Sequence, residues 1–346
     1  MKLNFRTVEL QLAHPWVIAS RRNTSHPHQV IIIELTDRDG ITGRGEAAPS
    51  RVYEETPAKV MEFCQRVDAS KLSFADIPGS MKYLAGLAEK EMATKCGFNS
   101  ALLDGAAKRA RKPLYDFLGL GFREKHHVTS FSIGIDTPDI IRKKVESAAP
   151  YPILKLKVGD ARDKENLAAL RSVAPKKTVR VDANEAWKTK EQALEMIEWC
   201  AGDGHIEFIE QPMPRHTSAA DMKWLKERSP LPLLADESYH TAADLAYCAE
   251  CFHGVNVKLV KTGGVSVAFD ALSAARKAGL KTMLGCMIET SVLISAAAHL
   301  AELTDYLDID GNLLITNDPY LGVTAEKGML SFAHAKEKTG LLVSAR

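Results

Sequence analysis

The sequence predicts an α/β protein: a closed (β/α)8-type barrel carrying an N-terminal α+β capping lobe. Three observations carry that expectation. From about residue 126, eight short and mostly apolar runs alternate with helical patterns. Strands buried on both faces read this way, and strand–helix alternation implies a parallel sheet. Lysines and carboxylates follow these runs at intervals on the order of 30 residues, the unit length of a ~250-residue barrel. The 346 residues of the chain exceed such a barrel and leave room for a second lobe.

Residues 1 to about 55 alternate like strands. The run Val30-Ile31-Ile32-Ile33-Glu34-Leu35 is followed by the turn Asp37-Arg38-Asp39-Gly40 and by Ile41-Thr42-Gly43-Arg44-Gly45-Glu46. Residues 56–118 carry helical periodicity through Val60, Phe63, Cys64 and Val67, then Ala101, Leu102, Ala106 and Ala107. The barrel strands are expected at 128–135, 153–158, 178–181, 206–209, 233–235, 255–259, 281–284 and 306–309. The resulting division is a capping lobe over 1–120, a barrel over 121–312, and a segment 313–346 that returns to the capping lobe.

Composition excludes several classes. The formal net charge is +1, so there is neither a basic surface for nucleic acid nor an acidic tail. The N-terminus lacks the apolar stretch of a secretory signal. The most apolar segment, 292–303, is short and contains His299 and Glu302, which excludes a membrane span. Six cysteines in a chain of this size do not form a disulfide framework. They read as reduced thiols in a cytoplasmic protein. Cys248-Ala-Glu-Cys251 is a lone CxxC in a helical pattern, without the four convergent ligands of a zinc site. A homo-oligomer is compatible with this composition.

The chemistry sits at the strand ends. Lys155 and Lys157 are two apart on one strand, so both point to the same side. Inside an apolar barrel they need anionic company, and two adjacent ammoniums lower one another's pKa toward the range of a base. The alternative is an exposed edge strand with solvated lysines. Asp182, Glu210 and Asp236 each end a run in consecutive units. One such Asp is more often a helix N-cap; three in a row at the strand ends describe a site. Three hard oxygen ligands suit Mg²⁺, one ion per subunit, with Mn²⁺ as a substitute. Glu207 lies three residues before Glu210 and is expected on the opposite face. Asn184 and Glu237 are expected to support the ligands. Lys261 is expected across the mouth from Lys157, with Lys258 packed outward or deeper. Asp308 and Asp310, two apart after the last strand, make an anionic site for an ammonium group, or else turn chemistry before Gly311.

The motifs KxK, DANEAW, IEQP, ADES and KTGG, in this order, resemble the enolase superfamily, in its muconate lactonising enzyme subgroup. The resemblance covers essentially the whole chain and includes Gly43-Arg44-Gly45-Glu46. It implies a modified, enolase-like TIM barrel. It also implies metal ligands at Asp182, Glu210 and Asp236, acid/base lysines at Lys157 and Lys261, and an enolate-supporting Lys155. The Asp308-x-Asp310 pair resembles that of the dipeptide epimerases, where it grips a free α-amino group. Cycloisomerases and o-succinylbenzoate synthases of the same subgroup act on substrates without that amine. In Ser20-Arg21-Arg22-Asn23-Thr24, Arg22, or else Arg21, matches an arginine that reads a glutamate side chain; Ser130 on the first strand is expected to contact substrate. The expectation is therefore an isomerase, a dipeptide epimerase acting on L-Ala-D/L-Glu in murein peptide metabolism. Other dipeptides, or a cycloisomerase or lyase reaction, are the alternatives.

Overall fold

The computed structural model describes residues 1–19 and 27–346. The capping lobe opens with three antiparallel strands, β1 (Lys2–Leu10), β2 (His28–Thr36) and β3 (Thr42–Ala47), in that spatial order. Helices α1 (Pro57–Arg66), α2 (Ile77–Leu87), α3 (Met92–Arg109) and α4 (Leu114–Phe117) follow. Thr56 caps α1 by accepting from the Lys59 amide, and Asp76 caps α2 by accepting from Gly79.

α3 is buried on all sides from Ala93 to Ala107, because it lies between the small sheet and the barrel. Its sequence accordingly shows little amphipathicity. Gly43 and Gly45 let β3 approach α3 closely. A Cβ on either would stand 2.0 Å from a carbonyl oxygen of the helix, that of Ala101 or Gly97.

Eight parallel strands form the barrel in sequence order: β4 (Phe131–Ile133), β5 (Ile153–Lys157), β6 (Thr178–Asp182), β7 (Ile206–Glu210), β8 (Leu233–Ala235), β9 (Gly254–Lys258), β10 (Lys281–Gly285) and β11 (Tyr306–Asp308). A parallel bridge between Thr129 and Leu307 closes the ring. The helices between them are α5 (Pro138–Ser147), α6 (Asp163–Val173), α7 (Lys190–Ala201), α8 (Ala219–Arg228), α9 (Leu245–Cys251), α10 (Leu259–Thr262), α11 (Val265–Lys277) and α12 (Ser291–Ala298).

Two strands differ from expectation. The first is shorter than 128–135, because Val128 bridges to Met329 of the C-terminal segment instead. The sixth ends at Lys258, and the chain turns directly into α10 at Leu259.

Inward-pointing residues stack in layers, as in other barrels of this kind. Below the mouth, Phe208, Leu234 and Met283 are buried together, with Tyr306 against them. The Arg180 guanidinium lies over the rings of Phe208 and Tyr306 at 5.3 and 5.1 Å and pairs with Glu207 at 2.7 Å. The C-terminal segment forms two short antiparallel pairs, β12 (Tyr320–Leu321) with β15 (Ser344–Ala345) and β13 (Thr324–Glu326) with β14 (Met329–Ser331). It touches the capping lobe where Arg6 donates to the Tyr320 hydroxyl at 2.8 Å, and where the Leu341 amide donates to Asp104 at 2.7 Å.

Candidate active site

Strand register brings the chemistry to one level. Lys157 pairs with Asp182, and Asp182 with Glu210. On the far side Lys258 pairs with Gly285, and Gly285 with Asp308. Asp236 follows β8 directly. Each of these residues ends or follows a strand at the C-terminal mouth of the barrel, where active sites of this architecture are built.

Asp182, Glu210 and Asp236 are buried and offer carboxylate oxygens that all lie within 4.8 Å of one another. Among the described residues this is the single such cluster. Backbone and amide groups aim them. The Asn184 amide donates to Asp182 at 2.9 Å. Asn256 donates to Glu210 Oε1 at 2.8 Å. Gln211 Oε1 accepts from the Asp236 and Ser238 amides, each at 3.0 Å. Asn184, Glu185 and Gln211 hold left-handed backbone, with φ of 42°, 67° and 37°. Such conformations in non-glycine residues cluster at functional sites.

Four ammoniums surround the carboxylates. Lys155 reaches Asp182, Glu210 and Asp308 at 3.0, 2.8 and 2.6 Å. Lys157 contacts Asp182 at 2.5 Å. Lys258 contacts Asp236 Oδ2 at 2.8 Å. Lys261 is held by Asp236 Oδ1 and the Asp236 carbonyl, both at 2.6 Å, and by the Asn256 carbonyl at 3.1 Å.

A cavity of about 250 Å³ opens between the mouth and the capping lobe. Lys155, Lys157, Lys258, Asn184, Glu237, Asp308 and Asp310 line it from the barrel. Ile18, Val30, Arg51, Val52 and Tyr53 line it from the cap, and Met287, Ile288 and Leu314 complete the wall.

The donor set fits a hard divalent cation. Six buried carboxylates (Asp182, Glu210, Asp236, Glu237, Asp308, Asp310) face the four lysines, an excess of negative charge that suits such an ion. Burial, with Asp182 beside it, pushes Glu210 up to about 7, so this ligand needs more positive charge to stay ionised. Burial also raises Asp236, but Lys258 and Lys261 outweigh it and hold the carboxyl well below the usual range. Asp308 and Asp310 separate: burial opposes both, yet Lys155 brings Asp308 to about 2, whereas burial and the Asp308 charge push Asp310 to about 7. Burial pulls Lys258 down, but Asp236 and then Tyr53 hold it well above the ordinary lysine range.

Several sequence expectations land elsewhere. Lys261 sits in the first helical turn after β9, fully enclosed, and does not line the cavity. Lys258, expected outward or deeper, is the residue at the cavity wall. The reason is local: the strand ends at Lys258, so Asn256 and Lys258 alternate inward and Lys261 is carried onto α10. Ser130 is wholly buried, and its hydroxyl donates to Asp308 Oδ1 at 2.6 Å, so it orients that carboxylate instead of lining the cavity. Asn184 donates to Glu237 at 3.1 Å, and both stand at the cavity wall. Arg22 lies outside the described residues. Cys248 and Cys251 are buried thiols that donate to the carbonyls of Ser238 and Ala219. Gln211 and Asn256 were not singled out in the sequence. For Asn256 a signal existed: it stands two residues before Lys258, the same spacing as Lys155 and Lys157.

An enclosed triad of carboxylates with lysines at the mouth of a capped barrel can hold a cation beside groups able to carry a proton. Residues 140–324 match the enolase C-terminal domain-like family, and residues 2–119 match the N-terminal domain of mandelate racemase / muconate lactonizing enzyme. The chain belongs to the enolase superfamily, in this mandelate racemase and muconate lactonizing branch. It is 66% identical over 347 residues, covering 100% of both chains, to an L-Ala-D/L-amino acid epimerase of Pedosphaera parvula. It superposes with a TM-score of 0.91 and 26% identity on the substrate-liganded L-Ala-D/L-Glu epimerase of Bacillus subtilis, covering 100% of this chain and 98% of that one. A dipeptide epimerase of Enterococcus faecalis, in complex with Mg and L-Leu-L-Tyr, matches with a TM-score of 0.88 and 28% identity over 99% and 98% of the two chains.

Proposed function

We propose that this protein is a dipeptide epimerase that inverts the α-carbon of the C-terminal residue by 1,1-proton transfer between Lys157 and Lys258. The observation that carries the reading is their placement. They end β5 and β9, on two sides of the carboxylate triad, and both line the cavity that also contains Asp308 and Asp310. Lys261, with its ammonium committed to Asp236 and Asn256, is assigned no proton-transfer role.

Asp182, Glu210 and Asp236 would hold Mg²⁺. When bound, the ion supplies positive charge that offsets the negative charge growing on the substrate carboxylate as the α-proton leaves. One lysine, as a neutral amine, takes the α-proton; the other, as an ammonium, returns a proton to the opposite face. Lys155 supports the developing enolate charge. Asp308 and Asp310 hold the free α-ammonium of the dipeptide, with Ser130 fixing Asp308.

L-Ala-D/L-Glu is the leading substrate, as murein peptide metabolism in the cytoplasm would supply. No described helix is long and apolar enough to cross a membrane. A second reading, a dipeptide with an apolar second residue, is favoured by Ile18, Val30, Val52, Met287 and Ile288 on the cavity wall. The test is mass spectrometry in D₂O with Mg²⁺ and dipeptide pools that differ in the second residue. A one-unit mass gain at the second α-carbon of Ala-Glu supports the leading substrate. A gain only with apolar residues selects the second reading. No gain in any pool, with metal bound, removes the epimerase.

A further inference from the structure

We propose that Asn256 and Lys261 form a buried clamp that sets the spacing of Glu210 and Asp236, and that Lys261 is a positioning residue for the cation site. The inference rests on the metal reading given above.

The layer below the mouth is otherwise built mainly to pack. The residues two positions before Glu210, Asp236, Gly285 and Asp308 are Phe208, Leu234, Met283 and Tyr306. On β9 the corresponding residue, before Lys258, is Asn256, which is fully buried. Its Oδ1 accepts no hydrogen bond from any described residue. An unsatisfied buried polar atom costs about 1–3 kcal/mol, so an apolar residue would serve packing better. What the amide does instead is fix a ligand. Asn256 Nδ2 donates to Glu210 Oε1 at 2.8 Å, while Oε2 lies 2.8 Å from the Lys155 ammonium.

The same residue reaches the next ligand through Lys261. The Asn256 carbonyl accepts from Lys261 Nζ at 3.1 Å, and that ammonium also donates to the carbonyl and Oδ1 of Asp236. Two ligands from β7 and β8 are thereby tied to one point on β9. Gly285 on the neighbouring strand makes room: a Cβ there would meet Asn256 Oδ1 at 2.6 Å and Nδ2 at 2.7 Å.

The test uses the intact protein, stripped with EDTA and dialysed. Asn256→Leu keeps the size and the charge and removes the donor. Calorimetric titration with Mg²⁺ is expected to show roughly 10–100-fold weaker binding, the usual cost of losing a group that orients a metal ligand. Gly285→Ala, which crowds the same side chain, is expected to weaken Mg²⁺ in the same direction and serves if Asn256→Leu does not fold. Lys261→Met is expected to weaken Mg²⁺ binding in the same titration and, at saturating Mg²⁺, to lower α-proton exchange in D₂O on both stereoisomers of a dipeptide by the same factor. Mg²⁺ binding at the unmodified affinity in both the Asn256 and Gly285 variants overturns the clamp. Loss of exchange for one stereoisomer only in Lys261→Met also overturns it, because that is the signature of a base. If the unmodified protein exchanges no dipeptide, the epimerase reading fails, and the Mg²⁺ titrations still decide the clamp.

Discussion

Replacing Lys258 by Met separates proton transfer from every other role at the mouth. Met preserves most of the aliphatic stem and removes the ammonium 2.8 Å from Asp236 Oδ2. The fold should tolerate the change, because Asp236 keeps Lys261 at 2.6 Å and its backbone contacts with Gln211. Metal binding should hold or tighten. At an effective dielectric of ~20, two unit charges ~4 Å apart interact by about 4 kcal/mol, so removing a neighbouring cation favours a second one.

The chemical loss is confined to one face of the substrate. A positioned general base contributes roughly 10²–10⁴ in rate, or about 3–5 kcal/mol. Epimerisation should fall by this factor in both directions, since every turnover needs one lysine on each face. Exchange of the α-proton with D₂O should fall only for the stereoisomer whose proton faces β9. The other isomer, served by Lys157, should still exchange. Proton NMR of each pure stereoisomer in D₂O reads both quantities. Lys157→Met should give the mirror-image pattern. Unchanged epimerisation in Lys258→Met, or equal loss of exchange on both isomers with metal bound, would refute the two-lysine assignment.

Three further outcomes follow from particular contacts. Asp308→Asn removes the charge proposed to hold the dipeptide ammonium; since hydrogen bonds to charged groups contribute about 1.5–3 kcal/mol, KM should rise roughly 10–100-fold, and N-acetylated dipeptides should be poor substrates of the unmodified enzyme. Burial holds His299 neutral down to about 3, with its ring between Tyr115 and Phe332. Below the ordinary histidine range the unfolded chain takes up a proton that the native state refuses, so stability falls with pH by up to about 1.4 kcal/mol per unit toward the folded value; urea unfolding of His299→Gln between pH 7 and 5 should show a shallower slope by one proton. Gly45→Ala places a Cβ 2.0 Å from the Gly97 carbonyl and should lose about 3 kcal/mol or more, whereas Gly86→Ala in α2, with nothing within 4 Å, should gain up to about 1 kcal/mol in the same assay.

Much of this site could be read from the sequence because a barrel converts strand ends into neighbours. Asp182, Glu210 and Asp236 each follow an apolar run, and period-two alternation put Lys155 and Lys157 on one side. The same rule was sufficient at β9, but only with the strand end known. In Val257-Lys258-Leu259-Val260-Lys261 the apolar pattern continues past the strand, and hydrophobicity alone does not distinguish a strand's last residue from the first turn of a buried helix. The structure stops the strand at Lys258 and thereby exchanges the positions of the two lysines. The burial of Ser130 was illegible for another reason. It depends on the closure between Thr129 and Leu307, a contact across nearly 180 residues that no local pattern encodes.

The charge inventory of the mouth leads to a last prediction. Fully ionised, the six buried carboxylates would outnumber the four buried ammoniums. Glu210, Glu237 and Asp310 are all raised toward neutrality by burial together with a neighbouring carboxylate. The two termini of a dipeptide cancel, and a Glu second residue adds a further negative charge, so balance has to come from the cation. Binding to the native state alone stabilises by about 2.7 kcal/mol when the ion is at 100 times its dissociation constant. Thermal unfolding should therefore shift upward on titration with Mg²⁺ and fall back on adding EDTA, while NaCl at matched ionic strength should not reproduce the shift. Glu210→Gln, which removes one ligand charge, should abolish the Mg²⁺ response and leave the metal-free protein at least as stable, because a buried carboxylate next to Asp182 is relieved. A Tm indifferent to Mg²⁺ would mean that the four lysines already balance the site and that the triad does not bind the ion.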